Sequence, residues 1–335
     1  MTIYEYRHKK AEFLEKSPAL SMQNTALLDV DCILSHFLKK DRSWLFAHSD
    51  EDLEKVAESV LLGEPTMSRE NLISDIDSAI EKRYTGYPVA YITNKKEFYG
   101  IDFYVNKNVL IPKPDTEILV EKAIELIKAH KLKTIADICT GSGCVGISVA
   151  KNILIQGDKT NSATKDASPH FFLTDVSHLC LEVAQKNANE ILGEKIANEN
   201  FSFFLGEILW PIIENENENI RNTKFDMILS NPPYIPRIMV NQLLRDGRSE
   251  PILALDGDAS YTNPMDENYG DGLSIIRPLT TQAFGCLKSG GFFLCETGEY
   301  NSQKTVELFE DAGFSSVQVL NDLEGSPRVV MGVKK

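Results

Sequence analysis

Residues 134–150 read TIADICTGSGCVGISVA, a strand that breaks at a glycine turn and continues as a helix. Gly141, Gly143 and Gly146 match G-x-G-x-x-G directly after the predicted strand, the context in which the pattern carries meaning. Without Cβ atoms, the backbone there can touch a ligand at the N-terminus of the following helix. Working outward, strands are expected at 134–138, 171–174, 201–205, 225–229 and 291–296, with a closing pair near 316–320 and 328–333. Helical stretches separate them, starting with 115–130, so the expected architecture is α/β with a parallel sheet. Upstream, Tyr, Phe, Val and Ile between Gly, Asn and Pro punctuation predict a β-hairpin linker over 86–112. Residues 1–85 read as a helical module, with Leu27, Val30, Ile33, Leu34 and Phe37, then Leu72, Ile76 and Ile80, at helical spacing. Asn24 or Thr25 is placed to cap the first of these helices, and His36 and His48 are expected to be packed or solvated. The stretches 156–169, 214–222 and 256–271 are polar and aperiodic and read as surface loops.

Composition narrows the function classes. The 335 residues are 42% hydrophobic and 25% charged, which fits a globular chain and excludes wholesale disorder. No run approaches the ~18 consecutive apolar residues of a membrane helix, and the opening MTIYEYRHKKAEFLEK has no apolar signal core, so a soluble cytoplasmic protein without membrane association is expected. With 49 acidic against 35 basic residues, the net charge of −14 speaks against broad nucleic-acid binding. The six cysteines include no C-x-x-C pair, so neither a zinc site nor a disulfide framework is expected, and no metal.

Asp175 ends the second strand of the series, where a carboxylate can accept both hydroxyls of an adenosine ribose. Its other role would be to cap the following helix. Up to this point NAD and S-adenosylmethionine are equally admissible. The segment FDMILSNPPYI (225–235) decides between them. Asn231, Pro232, Pro233 and Tyr234 follow a buried strand at the edge where open α/β sheets bind ligands. Two prolines lack N–H donors and fix φ, which holds the Pro232 carbonyl free to accept. The Asn231 side-chain oxygen is a second acceptor, so the pair can grip a planar –NH2 group, and Tyr234 could stack on it. Amide and exocyclic amine nitrogens are poor nucleophiles; alignment and polarisation, more than a strong base, would drive their methylation.

These residues, with GYPVAYITNKKEFYGIDFYVNKNVLIPKPDTE (86–117), SEPILALDGD (249–258), DGLSIIRP (271–278), GGFFLCETG (290–298) and DLEGSPRVV (322–330), make the chain resemble the release-factor glutamine N5-methyltransferases over nearly its whole length. The resemblance implies a Rossmann-like S-adenosylmethionine methyltransferase domain (113–335). The hairpin at 86–112 would join it to a small helical substrate-recognition domain at 1–85. It implies methyl transfer from S-adenosylmethionine, leaving S-adenosylhomocysteine, to the glutamine of the Gly-Gly-Gln motif in class I peptide chain release factors. It further implies that Cys139, Thr140, Gly141, Ser142 and Gly143 wrap the methionine part of the cofactor and that Asp175 holds its ribose. Glu207 and Ile208 would flank the adenine, Asn231 would face cofactor and substrate alike, and Phe98 would pack on the glutamine stem. A protein substrate, no direct nucleic acid and a monomer complete the expectation. The family usually carries Arg where Lys113 stands, Gly where Cys139 stands, and a shorter segment at 257–271. Alternatives are a glutamine on a ribosomal protein, the amino group of a nucleic-acid base, an NAD-dependent oxidoreductase resting on the glycines alone, and a non-catalytic binding module.

Overall fold

The computed structural model describes residues 1–21, 24–61, 69–155, 168–245, 250–259 and 270–335. The chain forms two compact units, Met1–Lys95 with Gln242–Ser249, and Lys96–Asn241 with Glu250–Lys335.

The first unit is helical, with helices Ile3–Glu15, Ala26–Leu38, Arg42–Ala47, Leu53–Val60, Arg69–Tyr84 and Val89–Thr93. Thr2 opens the first of these with a capping box: its hydroxyl accepts from Glu5 N, and Glu5 returns the bond to Thr2 N. Thr25 is the N-cap residue of Ala26–Leu38, yet its hydroxyl donates to Asp29 Oδ2 at 3.1 Å and satisfies no backbone N–H. Val30, Ile33, Leu34, Leu72, Ile76 and Ile80 are buried as their spacing requires, while Leu27 is exposed. The His48 ring stacks on Trp44, with Nδ1 2.9 Å from the Trp44 carbonyl, and His36 lies edge-on to Phe37. Among the described residues no group of His, Cys, Asp and Glu is arranged to hold a metal ion. Two ion pairs are sealed inside this unit. Arg7 binds Asp31 through Nε (2.5 Å) and Nη2 (2.8 Å), and Arg83 Nε meets Asp29 at 2.7 Å.

The hairpin is shorter than the sequence suggests. Strands β1 (Lys95–Phe98) and β2 (Ile101–Tyr104) pair around Tyr99 and Gly100, both at positive φ as a tight hairpin turn requires. Residues 89–93, expected within this hairpin, are instead the helix Val89–Thr93, entered from Pro88 and ended by Asn94 in the left-handed region. The polar stretch 214–222 likewise contains a short helix, Glu218–Arg221, capped by the Asn217 side chain. Most of 156–169 and of 256–271 lies outside the described residues.

The second unit is built on a seven-stranded sheet. Its strands are β3 (Thr134–Ile138), β4 (His170–Asp175), β5 (Phe201–Leu205), β6 (Phe225–Ser230), β7 (Leu287–Glu296), β8 (Ser315–Asn321) and β9 (Pro327–Val333). The order is β5-β4-β3-β6-β7-β9-β8, with parallel pairing from β5 to β7 and β9 antiparallel to both its neighbours. The apolar runs are continuous because these strands are covered on both faces. Ile138, Phe225, Ile228, Leu273, Ile276, Phe293, Phe309 and Phe314 belong to one buried cluster. From β3 the chain winds outward to β4 and β5, then returns to lay β6 on the other side of β3. The β3–β6 boundary is therefore the point where an open α/β sheet forms a ligand crevice at its carboxyl edge.

Of the buried pairs, Arg7–Asp31 gives the sharpest test. Arg7→Ala leaves Asp31 ionised and unpaired, and should lower the unfolding free energy of the helical unit by about 3–5 kcal/mol. Arg7→Met combined with Asp31→Leu removes both charges and should cost far less. Urea titration followed by circular dichroism distinguishes the two, and equal losses would contradict the pairing argument.

Candidate active site

A cavity of about 260 Å³ opens at the carboxyl ends of β3, β4, β5 and β6. The sequence-expected Cys139, Thr140, Gly141, Ser142, Asp175, Glu207, Ile208, Asn231 and Pro233 all line it. Gly143, Pro232, Tyr234 and Phe98 do not.

The turn after β3 holds Cys139, Gly141 and Gly143 at φ +58°, +55° and +79°. Its glycines serve different ends. A Cβ on Gly141 would meet nothing within 4 Å, so this position stays open to the cavity. A Cβ on Gly143 would stand 2.6 Å from Ile147 Cδ1 and 3.2 Å from the Ala184 Cβ, so its absence lets the turn and helix pack. Gly146 presses on Asp137 and Leu173 in the same way. Cys139 sits in a left-handed conformation that side chains rarely adopt, which accounts for glycine as the usual residue there. Burial pushes its thiol up, and those of Cys144 and Cys180 up to about 12, so all three line the cavity as neutral groups.

Asp175 is not the cap of the following helix; its carboxylate instead ties the glycine turn to the residue that is. Its Oδ2 accepts from Gly141 N and its Oδ1 from Ser177 N, each at 2.9 Å, while Ser177 caps the helix His178–Leu192. Each oxygen keeps acceptor capacity, and burial raises the carboxyl above its usual range. Beside it, the Ile208 carbonyl is pinned by Thr174 Oγ1 at 2.8 Å, with Ile208 at φ +49°.

Asn231 Nδ2 donates to Thr116 Oγ1 at 3.0 Å. Tyr234 is turned inward: its hydroxyl donates to Glu296 at 3.1 Å, so its ring anchors the turn and does not reach the cavity to stack. The Tyr234 backbone is clamped from outside. Its carbonyl accepts from Asn301 Nδ2 at 2.9 Å, Ile235 N donates to the Leu255 carbonyl, and Gly257 N donates back to the Ile235 carbonyl. Asp258 holds Arg237 N and Gly272 N on its two oxygens. Cβ atoms on Gly257 or Gly272 would fall 2.7 Å or less from Tyr234 backbone atoms. Phe98 is 1% exposed and packs on Phe103 in the hairpin core, away from the cavity wall.

Three residues were not singled out from the sequence. Asp137, buried on β3, accepts from Thr140 Oγ1 and Gly146 N and lines the cavity. Burial pushes its carboxyl up to about 6. Thr116, itself on the cavity wall, accepts from Asn231, and Glu296 accepts from Tyr234. The visible signal was an acid set in an apolar strand, in TIADI and in FFLCE. Lys113 lines the cavity and meets Glu250 through a single contact at 2.6 Å, where an arginine fork could make two.

Residues 15–93 match the PrmC N-terminal domain family. A release factor glutamine methyltransferase of Clostridium acetobutylicum is 33% identical over 308 residues, covering 91% of this chain and 90% of that protein. Another, from Leptospira interrogans, is 33% identical over 325 residues, covering 96% and 95%. A third, from Koribacter versatilis, is 30% identical over 321 residues, covering 95% and 92%.

Gly272→Ala places a Cβ 2.3 Å from the Tyr234 carbonyl at φ +73°, whereas Gly270→Ala is strained at φ +87° but meets nothing within 4 Å. Strain alone costs about 1–3 kcal/mol, so Gly272→Ala should lose clearly more stability than Gly270→Ala in thermal unfolding. A second expectation concerns pH. Because the folded pKa of Asp137 lies above its ordinary value of 3.8, its contribution to stability is present below about 4 and lost as pH rises through about 6. The stability of the wild type relative to Asp137→Asn should fall over that window; an unchanged difference would mean that Asp137 is not desolvated in the fold.

Proposed function

The chain belongs to the release factor glutamine methyltransferase family, and from that premise we propose that it methylates N5 of the glutamine in the Gly-Gly-Gln motif of a class I peptide chain release factor, with S-adenosylmethionine as donor. One observation carries this: Asp175 and the glycine turn share a single cavity with Asn231 and Pro233, so a nucleoside-binding edge and an amide-gripping turn open into the same space.

The residues fit the donor. Gly141 leaves room for a close approach, and Asp175 has acceptor capacity for two ribose hydroxyls. Asp137 and Asp175 supply negative charge to a cationic ligand, while Cys139, Thr140 and Ser142 line the end that receives the methionine part. Glu207 and Ile208, also on the cavity wall, would flank the adenine. When bound, S-adenosylmethionine supplies a methyl group activated by a sulfonium.

The protein's part is to hold the acceptor nitrogen. Among the described residues no group donates to Asn231 Oδ1 or to the Pro232 carbonyl, and the proline has no N–H of its own. In this reading Asn231 Oδ1, on the cavity wall, accepts one N–H of the glutamine amide, and the carbonyl of Pro232, a residue next to that wall in the chain, accepts the other. They fix its plane and stabilise positive charge developing on nitrogen as the new N–C bond forms. The Pro233 ring closes the wall beside them. As the N–C bond forms the methyl–sulfur bond breaks, and one of the two amide protons leaves to solvent, with no side chain required as its base. The helical residues 1–85 serve recognition of the protein substrate, 86–112 link them to the catalytic residues 113–335, and the enzyme acts in the cytoplasm as a monomer.

Intact and peptide mass spectrometry of a release factor incubated with the enzyme and S-adenosylmethionine should find a gain of about 14 Da on the Gly-Gly-Gln glutamine, the bond that the two acceptors align. Asn231→Ala should lower kcat by ~100-fold or more with little change in cofactor Kd. Asp175→Ala should instead weaken cofactor binding about tenfold or more, the loss of a charged hydrogen-bonding partner. Methylation confined to another protein or to a nucleic acid would reject the substrate.

A further inference from the structure

Glu296 ends β7 at 1% exposure with its carboxylate only half satisfied. Oε1 accepts from the Tyr234 hydroxyl at 3.1 Å, and Oε2 has no hydrogen-bond partner among the described residues. Thr116, also 1% exposed, is the complementary case. Its Oγ1 accepts from Asn231 Nδ2 at 3.0 Å, which leaves its own proton to be given elsewhere. The Thr116 hydroxyl lies near enough to hold the Glu296 carboxyl down in pKa. A buried acceptor with a free oxygen and a buried donor with a free proton thus lie in one neighbourhood behind Asn231.

Resting on the function proposed above, we propose that Glu296 is a positioning residue that determines, through Thr116, which end of the Asn231 amide faces the substrate. An ionised carboxylate only accepts, so in this relay the Thr116 proton is given to it. A hydroxyl whose proton is committed offers Asn231 only lone pairs. Asn231 must then turn its NH2 to Thr116 and its Oδ1 to the cavity, the end that can accept from a substrate amide. Protonate Glu296 and the chain of bonds can run backwards. The carboxylic acid donates, Thr116 can donate to Asn231 Oδ1, and the turned amide meets the substrate NH2 with an NH2 of its own.

The surroundings set where that reversal occurs. Burial is the largest influence on Glu296, Asp115 pushes in the same direction, and Thr116, Tyr234 and Arg328 oppose it; the carboxyl reaches about 7. Cys144 and Cys295 also face it, as thiols that burial keeps protonated. The switch therefore lies within the working pH range of a cytoplasmic enzyme.

The test is kinetic, with a release factor as substrate and the full-length enzyme. Wild-type kcat should rise through about pH 7 and level off above it. Glu296→Gln should lower kcat by ~100-fold, as when one transition-state contact is lost, and should flatten the profile between pH 6 and 8.5. Calorimetry should give an S-adenosylmethionine Kd close to that of the wild type, and its melting temperature at pH 8 should be no lower, since a buried ionised group has been removed. Thr116→Val, which alters no charge, should reproduce the loss; Thr116→Ser, which keeps the hydroxyl, should lose far less. The double variant Glu296→Gln with Thr116→Val should be no slower than either single one. A Glu296→Gln enzyme with wild-type kcat and pH profile, or a Thr116→Val enzyme at full rate, would overturn this inference and leave the assigned reaction standing. A wild type that methylates no glutamine would remove both.

Discussion

Parallel pairing of β3 with β6 is the constraint from which the site follows. The register sets Ile138 beside Ser230, and the Ser230 hydroxyl locks it by donating to the Ile138 carbonyl at 2.7 Å in the buried interior. One residue beyond each strand end come Cys139 and Asn231. Two segments far apart in sequence, the glycine turn after β3 and the Asn-Pro-Pro-Tyr turn after β6, thereby emerge side by side. Because the strand order reverses at this boundary, the connections leaving β3 and β6 diverge and a crevice remains between them. A slip of one residue in this register would flip every side chain of β6 to the other face and carry Asn231 out of the cavity.

A turn with two consecutive prolines needs support from outside itself. Pro232 and Pro233 have fixed φ but no N–H groups with which to tie the turn to its neighbours. The tethering falls on the next two residues. The Tyr234 carbonyl takes the Asn301 amide, its hydroxyl reaches Glu296, and Ile235 exchanges backbone bonds with Leu255 and Gly257. The close approach of Gly257 and Gly272 to the Tyr234 backbone is the steric half of the same clamp. Asp258 joins the clamp to Arg237 and to Gly272, so residues 256–258, Gly272 and the turn hold one another in place.

Much of this was legible in the residues. The sheet strands were readable to within a few residues because fully covered parallel strands are continuous apolar runs, and the glycine turn, Asp175 and Asn231 announced themselves by type and position. Three things were not. The segment Val89–Thr93 is rich in strand formers, yet it is a helix because Pro88 and Asn94 bound it and tertiary context overrides a weak propensity. The division of labour inside a motif was hidden too: Gly143 serves packing while Gly141 faces the cavity, and Tyr234 and Phe98 turn inward. Finally, Thr116 and Glu296 meet their partners across 115 and 62 residues of chain, a relation that no local pattern encodes.

The acids at the carboxyl edge show why one of them behaves differently. Asp137 and Asp175 stand at the ends of strands that run into turns and helices, and both collect backbone N–H groups: Gly146 for Asp137, Gly141 and Ser177 for Asp175. Such donors stabilise the charged form and cannot be rotated away. Glu296 ends β7 with no backbone donor among the described residues; its partners are the Tyr234 hydroxyl and, nearby, that of Thr116, both rotatable. Burial pushes its carboxyl up to about 7. Backbone donors would have favoured the charged form of Glu296, as they do for its neighbours along the edge. Hydroxyl partners leave it poised, and in the proposed relay its protonation state is passed on as the direction of a hydrogen bond to Asn231, the side chain proposed to present an oxygen to the substrate.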